Sequence, residues 1–220
     1  MSIVCRLCGT SGDFRTLVAR CRFDKSEIIR YICPECDVVF GPISMIEKPL
    51  AELADEYARL YASYSENDAT AHELALFEQL NPFRRGCYLN FGQGKNRTVG
   101  ELRGRGYEVY SFDLAVEGDY ALTGDQVAAM RFDGIFSHNV IEHLQDPVRD
   151  FRFLASVLKA DGRMAHATSE YIYATPDTRF HLFFFLGRSV WKLAEIAGLS
   201  VAGLSVLSGA ANCAIFTRAT

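Results

Sequence analysis

The stretch Phe132-Asp133-Gly134-Ile135-Phe136-Ser137-His138-Asn139-Val140-Ile141-Glu142-His143-Leu144-Gln145-Asp146-Pro147 decides how this chain folds. Its first six residues, Phe132 to Ser137, with Phe132, Ile135 and Phe136 as apolar positions, read as a strand. A polar break, Ser137-His138-Asn139, follows. Pro147 then opens a helix predicted over Pro147 to Leu158, where a proline fits the first turn because its missing N–H has no partner there. Asp161-Gly162 is expected to break the chain before a strand from Arg163 to Thr168.

The same alternation extends upstream and downstream. Cys87 to Phe91 reads as a strand, Asn96 to Arg105 as a helix closed by Gly106, and Tyr107 to Phe112 as a second strand ending at Asp113. Ser189 to Ala197 reads as a helix stopped by Gly198, and Val201 to Leu207 with Asn212 to Thr217 as an antiparallel pair. Strand and helix in alternation predict an α/β fold: a doubly wound, Rossmann-like sheet with helices on both faces.

Between the first strand and its helix stands Gly92-Gln93-Gly94. Glycine lets a turn adopt positive φ and lets the backbone approach a ligand closely. Asp113, at the end of the next strand, is placed to accept both ribose hydroxyls of a nucleoside cofactor. Glycine turn and acid together do not separate a nicotinamide dinucleotide from S-adenosylmethionine. Arg97 occupies the place of the third glycine in the dinucleotide pattern, which disfavours the dinucleotide.

The Phe132 to Pro147 run resembles the fourth motif of class I S-adenosylmethionine-dependent methyltransferases, F-D-x-I-x-x-x-x-V-x-E-H-L-x-D-P. Leu158-Lys159-Ala160-Asp161-Gly162-Arg163 resembles their L-K-P-G-G turn, with Ala and Arg replacing Pro and the last Gly. His181 to Phe185 and Ser189 to Leu199 resemble their late segment H-x-x-F-F-x-x-x-S-x-x-x-L-x-x-x-A-G-L/F. The resemblance implies that Gly92 and Gly94 pass under the methionine part of the cofactor and that Asp113 holds the ribose. It implies that Leu114 packs on the adenine, and that Ser137, His138 and Asn139 line the methionine side and the substrate entrance. The family usually has Asp where this chain has Asn90, so the negative charge beside the cofactor's ammonium is missing. Asn96 is a second departure in the same turn.

Cys5-Arg-Leu-Cys8-Gly9 and Cys33-Pro-Glu-Cys36-Asp37 are two C-x-x-C pairs separated by 24 residues. Four thiolates on two knuckles form the tetrahedral donor set of structural zinc, and the intervening segment has room for a hairpin. Strands are expected at Ile28 to Ile32 and Val38 to Phe40, and Cys21 is a bystander. So small a region needs a metal to fold. The chain therefore divides into a zinc ribbon over 1–46, a helical linker or lid over 47–82, and the cofactor-binding domain over 83–220. Some sugar-modifying relatives in the resembled family carry such an N-terminal module. Leu50, Leu53, Tyr57, Leu60, Tyr61 and Tyr64 recur at helical spacing, as do Leu74, Leu76, Phe77 and Leu80. The tyrosines suit either core packing or a lid over the cofactor, and the acidic residues around them read as a solvated face.

Methyl transfer from a sulfonium needs the nucleophile aligned and, for a hydroxyl, its proton removed. Histidine suits that second task. His181 and His138 are the candidate catalytic residues; Glu142 and His143 read as packing and capping groups, His72 as solvated, and Trp191 as core. The net charge of −4 argues against a nucleic-acid partner. No membrane span or leader is visible, so the expectation is a cytoplasmic protein. The function expected is methyl transfer to a small hydroxylated or sugar-type acceptor. The alternatives are a cofactor-binding or assembly protein without turnover, and an RNA methyltransferase that reads its substrate with the ribbon.

Overall fold

A computed structural model describes residues 3–62, 64, 67–114, 118–172, 174–206 and 212–219, with Tyr61 as backbone only. In chain order the N-terminal elements are β1 (Ile3–Val4), β2 (Ser11–Gly12), β3 (Arg15–Arg20), β4 (Glu27–Ile32), β5 (Val39–Phe40), α1 (Ile43–Ile46), α2 (Leu50–Tyr61) and α3 (Thr70–Glu78). The following elements are β6 (Cys87–Phe91), α4 (Thr98–Gly104), β7 (Glu108–Phe112), α5 (Gly124–Ala129), β8 (Phe132–His138), α6 (Pro147–Val157) and β9 (Leu158–Thr168). The chain closes with β10 (Phe183–Phe184), α7 (Ser189–Ala197), β11 (Leu199–Val206) and β12 (Asn212–Arg218).

The main sheet has the order β11-β12-β9-β8-β6-β7. β7, β6, β8 and β9 run parallel, while β12 and β11 add an antiparallel pair. Beyond β7 only a single bridge, Ser111 to Ala121, extends the edge among the described residues. Helices cover both faces. Leu76 and Phe77 of α3 and Val99 and Leu102 of α4 pack on one face against Tyr88, Val109 and Phe136. Phe151 and Leu154 of α6 and Val190 and Leu193 of α7 pack on the other against Ile135, Met164 and Phe216. A parallel sheet buried on both faces explains the continuous apolar runs of its strands. The order β7-β6-β8 reverses chain direction across the sheet at β6, and the carboxyl ends of the strands at such a point form a crevice for ligands.

Two expectations are corrected here. Asp161-Gly162 does not break the chain, because β9 starts at Leu158 directly after α6 and runs through both residues. The β8–β9 register shifts between Phe132 and Gly134, and a Cβ on Gly162 would stand 3.1 Å from the Asp133 carbonyl oxygen. The glycine marks a bulge with close backbone approach rather than a turn. Trp191 is 50% exposed and no part of the core.

The N-terminal ribbon is not left as a separate body. Its sheet has the order β10-β5-β4-β3, so the two-residue strand at Phe183–Phe184 completes it. Phe40, Phe183, Phe184 and Phe185 are all buried. Each contributes roughly 1.5–3 kcal/mol of transfer free energy. Arg188 holds Asp37 at 2.9 Å, and Gln145 donates to the Met45 and Lys48 carbonyls at 2.8 Å each. The ribbon thus sits against the same rim where β8 and β9 end.

Candidate active site

The glycine turn leaves β6 with Gly92 at φ 78° and Gly94 at φ 58°. A Cβ on Gly92 would lie 2.6 Å from a methyl of Val140, whereas one on Gly94 would meet open space. Gly92 is therefore required by close packing and Gly94 by conformation alone. The Gly94 N–H donates to Asp113 Oδ2 at 2.9 Å, which ties the turn to the end of β7. Leu114, next in the chain, is 87% exposed.

Behind the turn lies a carboxylate that the sequence reading assigned to a solvated face. Glu73 of α3 is buried, and it receives Asn90 Nδ2 at 2.7 Å and Asn96 Nδ2 at 2.6 Å. Asn96 Oδ1 in turn accepts the Ala69 N–H at 2.9 Å, and Thr70 Oγ1 accepts the Arg97 N–H at 3.0 Å. Burial pushes the Glu73 carboxyl up to about 7, against the opposing bonds from Thr98, Asn90 and Asn96. The two departures from the family pattern are thus one feature. Both asparagines present amides to a single acid supplied by α3. Two amides flanking a glycine turn were the signal available in the sequence, since paired donors call for a shared acceptor.

Two buried acceptors at this turn, Asn90 Oδ1 and Gln93 Oε1, have no partner within the described chain. Unpaired acceptors in a buried position cost free energy that a donor relieves. A cationic amine is the complement of this pair, and an α-ammonium such as that of S-adenosylmethionine fits it.

Residues at the end of β8 take separate places. Ser137 is fully buried, with its hydroxyl 2.7 Å from His166 Nδ1 in the neighbouring strand. It faces the sheet interior rather than the entrance. His138 stacks on His72 with ring centroids 5.4 Å apart and an interplanar angle of 5°. Burial and then His72 lower His138 to about 4, so its imidazole is neutral at pH 7. His72 is half-buried in this stack, not solvated. Asn139 is exposed at φ 53°, its N–H on the Ala167 carbonyl at 2.8 Å.

A second group forms where the 3-10 turn Ile141–His143 meets the segment before β10. His143 Nδ1 lies 2.9 Å from the Phe180 carbonyl and 3.1 Å from the Tyr57 hydroxyl. His181 Nδ1 lies 2.9 Å from Glu170 Oε1, and the two imidazoles meet edge to face at 4.9 Å. Burial and then His181 lower His143 to about 3. Glu142 is enclosed here rather than capping α6; Asp146 caps that helix by accepting the Arg149 N–H at 2.9 Å. Arg30 of β4 is buried and donates to the Thr178 carbonyl and, at 2.9 Å, to the His181 carbonyl. Desolvation lowers Arg30 to about 10. The ribbon therefore fixes the backbone of His181, a link no sequence pattern announced. Of the tyrosine stripe, Tyr57 joins this group, Tyr64 is exposed beside Phe23, and the Tyr61 side chain lies outside the described residues.

The four cysteines Cys5, Cys8, Cys33 and Cys36 come together with all sulfurs within 4.8 Å of one another. Cys5 and Cys36 Sγ are 3.7 Å apart, and Cys8 and Cys33 Sγ 3.6 Å. A tetrahedron with zinc–sulfur bonds of about 2.3 Å has edges of about 3.8 Å, so the spacing fits zinc. Each knuckle ends in a left-handed residue, Gly9 at φ 79° and Asp37 at φ 64°. The hydrogen bond shared with Cys36 pulls the Cys5 thiol down to about 5, while burial raises Cys33 to about 11. Without a cation the four thiols do not ionise together.

A family model described as a methyltransferase domain matches residues 56–201. No curated protein matches the chain. Among solved structures, a 1,6-didemethyltoxoflavin N1-methyltransferase from Burkholderia thailandensis, bound to its substrate and S-adenosylhomocysteine, is 15% identical. It aligns over 92% of this chain and 100% of its own, with TM-score 0.64. TnmH is 15% identical over 81% of this chain and 64% of its own, with TM-score 0.59. CalO1, a methyltransferase of calicheamicin biosynthesis bound to S-adenosylhomocysteine, is 16% identical over 77% of this chain, with TM-score 0.54. This chain spans only 58% of CalO1. At such identities the likeness shows a shared fold.

Proposed function

The chain belongs to the methyltransferase-domain family, the class I S-adenosylmethionine-dependent methyltransferases, and from that premise we propose that it methylates a small hydroxylated or sugar-type acceptor. The observation that carries the reading is the turn Gly92–Gly94 tied to Asp113, with two unpaired acceptors beside it. When bound, the cofactor supplies an electrophilic methyl group on a sulfonium.

The chain's own residues bind and orient. Gly92 and Gly94 hold the backbone close to the methionine part, and Asp113 receives the ribose hydroxyls. Leu114 supplies an apolar surface for the adenine. Asn90 and Gln93 turn acceptor oxygens to the ammonium, and Glu73 places a carboxyl one hydrogen bond behind Asn90. Once ionised, above about pH 7, that carboxyl restores the negative charge that an aspartate at position 90 would have carried. His138 and Asn139 border the entrance, His138 as a neutral ring. His181 is held through Nδ1 by Glu170, which leaves Nε2 to present a lone pair toward the acceptor side. The four-cysteine site holds structural zinc in this reading and keeps Arg30 on the His181 backbone.

A small acceptor suits the geometry because the ribbon packs over the rim, and it suits the toxoflavin-type neighbour's substrate class. Among the described residues no helix is long and apolar enough to cross a membrane. The test is calorimetric titration of the zinc-loaded chain with S-adenosylhomocysteine, followed by methyl-donor turnover against a panel of sugar nucleotides and hydroxylated metabolites. One-site binding that is lost in Asp113→Ala is the expected result. Absence of binding, or binding indifferent to Asp113, would sink the proposal.

A further inference from the structure

We propose that Glu142, His143 and His181 bind a divalent transition-metal cation at the rim of the sheet, separate from the four-cysteine site. Each of the three residues offers one ligand atom, and these atoms lie within 4.8 Å of one another. The tautomer of each imidazole follows from its anchor. The Phe180 carbonyl can only accept, so His143 Nδ1 carries the hydrogen at 2.9 Å and Nε2 is left as a bare lone pair. The Glu170 carboxylate does the same for His181, again at 2.9 Å. Histidines whose Nδ1–H is anchored on a carbonyl or carboxylate are the ones metal sites use, because the anchor fixes the tautomer and the ring direction.

The third donor completes the set. Glu142 is 1% exposed. Thr168 bonds its carboxyl, while Oε2 has no partner within the described chain. A buried carboxylate oxygen without a donor, grouped with two imidazoles, is an arrangement that a cation relieves. Two imidazoles and one carboxylate suit Zn²⁺, Co²⁺, Fe²⁺ or Mn²⁺ with coordination positions left open. Bonds of about 2.1 Å put ligand atoms about 3–4 Å apart, so side-chain rotation of under an ångström closes the set. His181 is 23% exposed at its side chain, which gives the ion an entry path from the rim.

The site stands on these residues and does not depend on the methyl acceptor. One consequence does rest on the methyl-transfer reading: an acceptor hydroxyl on the open positions would lose its proton more readily beside the cation. His181 would then act as a ligand rather than as the base.

The experiment titrates the zinc-loaded full chain with Co²⁺ and follows its visible bands. Expected is one Co²⁺ per chain beyond the zinc, with nitrogen–oxygen d–d bands and no thiolate charge-transfer band. His181→Asn and Glu142→Gln should each weaken binding at least tenfold. Glu170→Gln, which touches no ion, should weaken it 10–100-fold. Circular dichroism melts of each variant report folding, and the partly exposed His181 tolerates substitution if Glu142 does not. The proposal is overturned if neither Co²⁺ nor Zn²⁺ binds beyond the cysteine-held ion, or if folded His181→Asn binds as tightly as wild type. S-adenosylhomocysteine binding, measured on the same samples, reports the methyltransferase reading independently.

Discussion

Glu73→Gln should make the protein more stable at alkaline pH and leave it nearly unchanged at acid pH. The Glu73 carboxyl is raised from 4.5 to about 7, chiefly by burial. Between those values the folded chain keeps a proton that the unfolded chain has lost. Stability contributed by this group is therefore fully present below about pH 4.5 and falls as pH rises toward 7. The span of about 2.5 pH units corresponds to about 3 kcal/mol at 1.36 kcal/mol per unit. Glutamine is neutral throughout and removes that dependence. Urea unfolding of both proteins at pH 4.5 and pH 8 gives four free energies. The advantage of Gln over Glu should grow by about 3 kcal/mol between the two pH values, or roughly 6–12 °C in Tm for a domain of this size. The single comparison also cancels Glu142, whose carboxyl burial raises to about 7 as well. At pH 8 the variant should bind S-adenosylhomocysteine on the order of tenfold more weakly, because it lacks a charge near the ammonium. Parallel pH–stability curves for wild type and variant would refute the reasoning.

Cys36→Ser should lose the zinc held by the four cysteines, read by elemental analysis as one equivalent less zinc than wild type, and speed amide exchange across residues 3–40, since a set of four gathered thiols loses its metal with one donor gone. Asp113→Ala should weaken S-adenosylhomocysteine binding by about 1.5–3 kcal/mol in calorimetry, the loss of charged hydrogen bonds to a ribose. Arg30→Met leaves the Thr178 and His181 carbonyls without their donor; unfolding free energy should drop by about 2–4 kcal/mol, and a loss under 0.5 would show that the bonds are idle. Gly92→Ala forces a side chain at φ 78° into Val140; about 1–3 kcal/mol of strain is expected in chemical denaturation, partly recovered by adding Val140→Ala.

What the sequence alone determined was set by short-range chemistry. The alternation of strand and helix from Cys87 onward, the glycine turn, Asp113 and the two C-x-x-C knuckles each act within a few residues of themselves. Local steric and pattern rules therefore reach them. Those rules also failed in a local way at Asp161-Gly162, where a bulge used the residues of a turn. The pairing of β10 with β5, the reach of Arg30 to His181, and the gathering of Glu142, His143 and His181 depend on parts of the chain 100 or more residues apart in the first two cases. Glu73 was read as solvent-facing with the other acidic residues of its segment, yet it is buried under the turn. Its role follows from Asn90 and Asn96, which supply the donors that make a buried acid tolerable. A pattern along the chain records which residue types are present. Only packing decides which of them lose water together, and a buried charge acquires its partner and its pKa at that step.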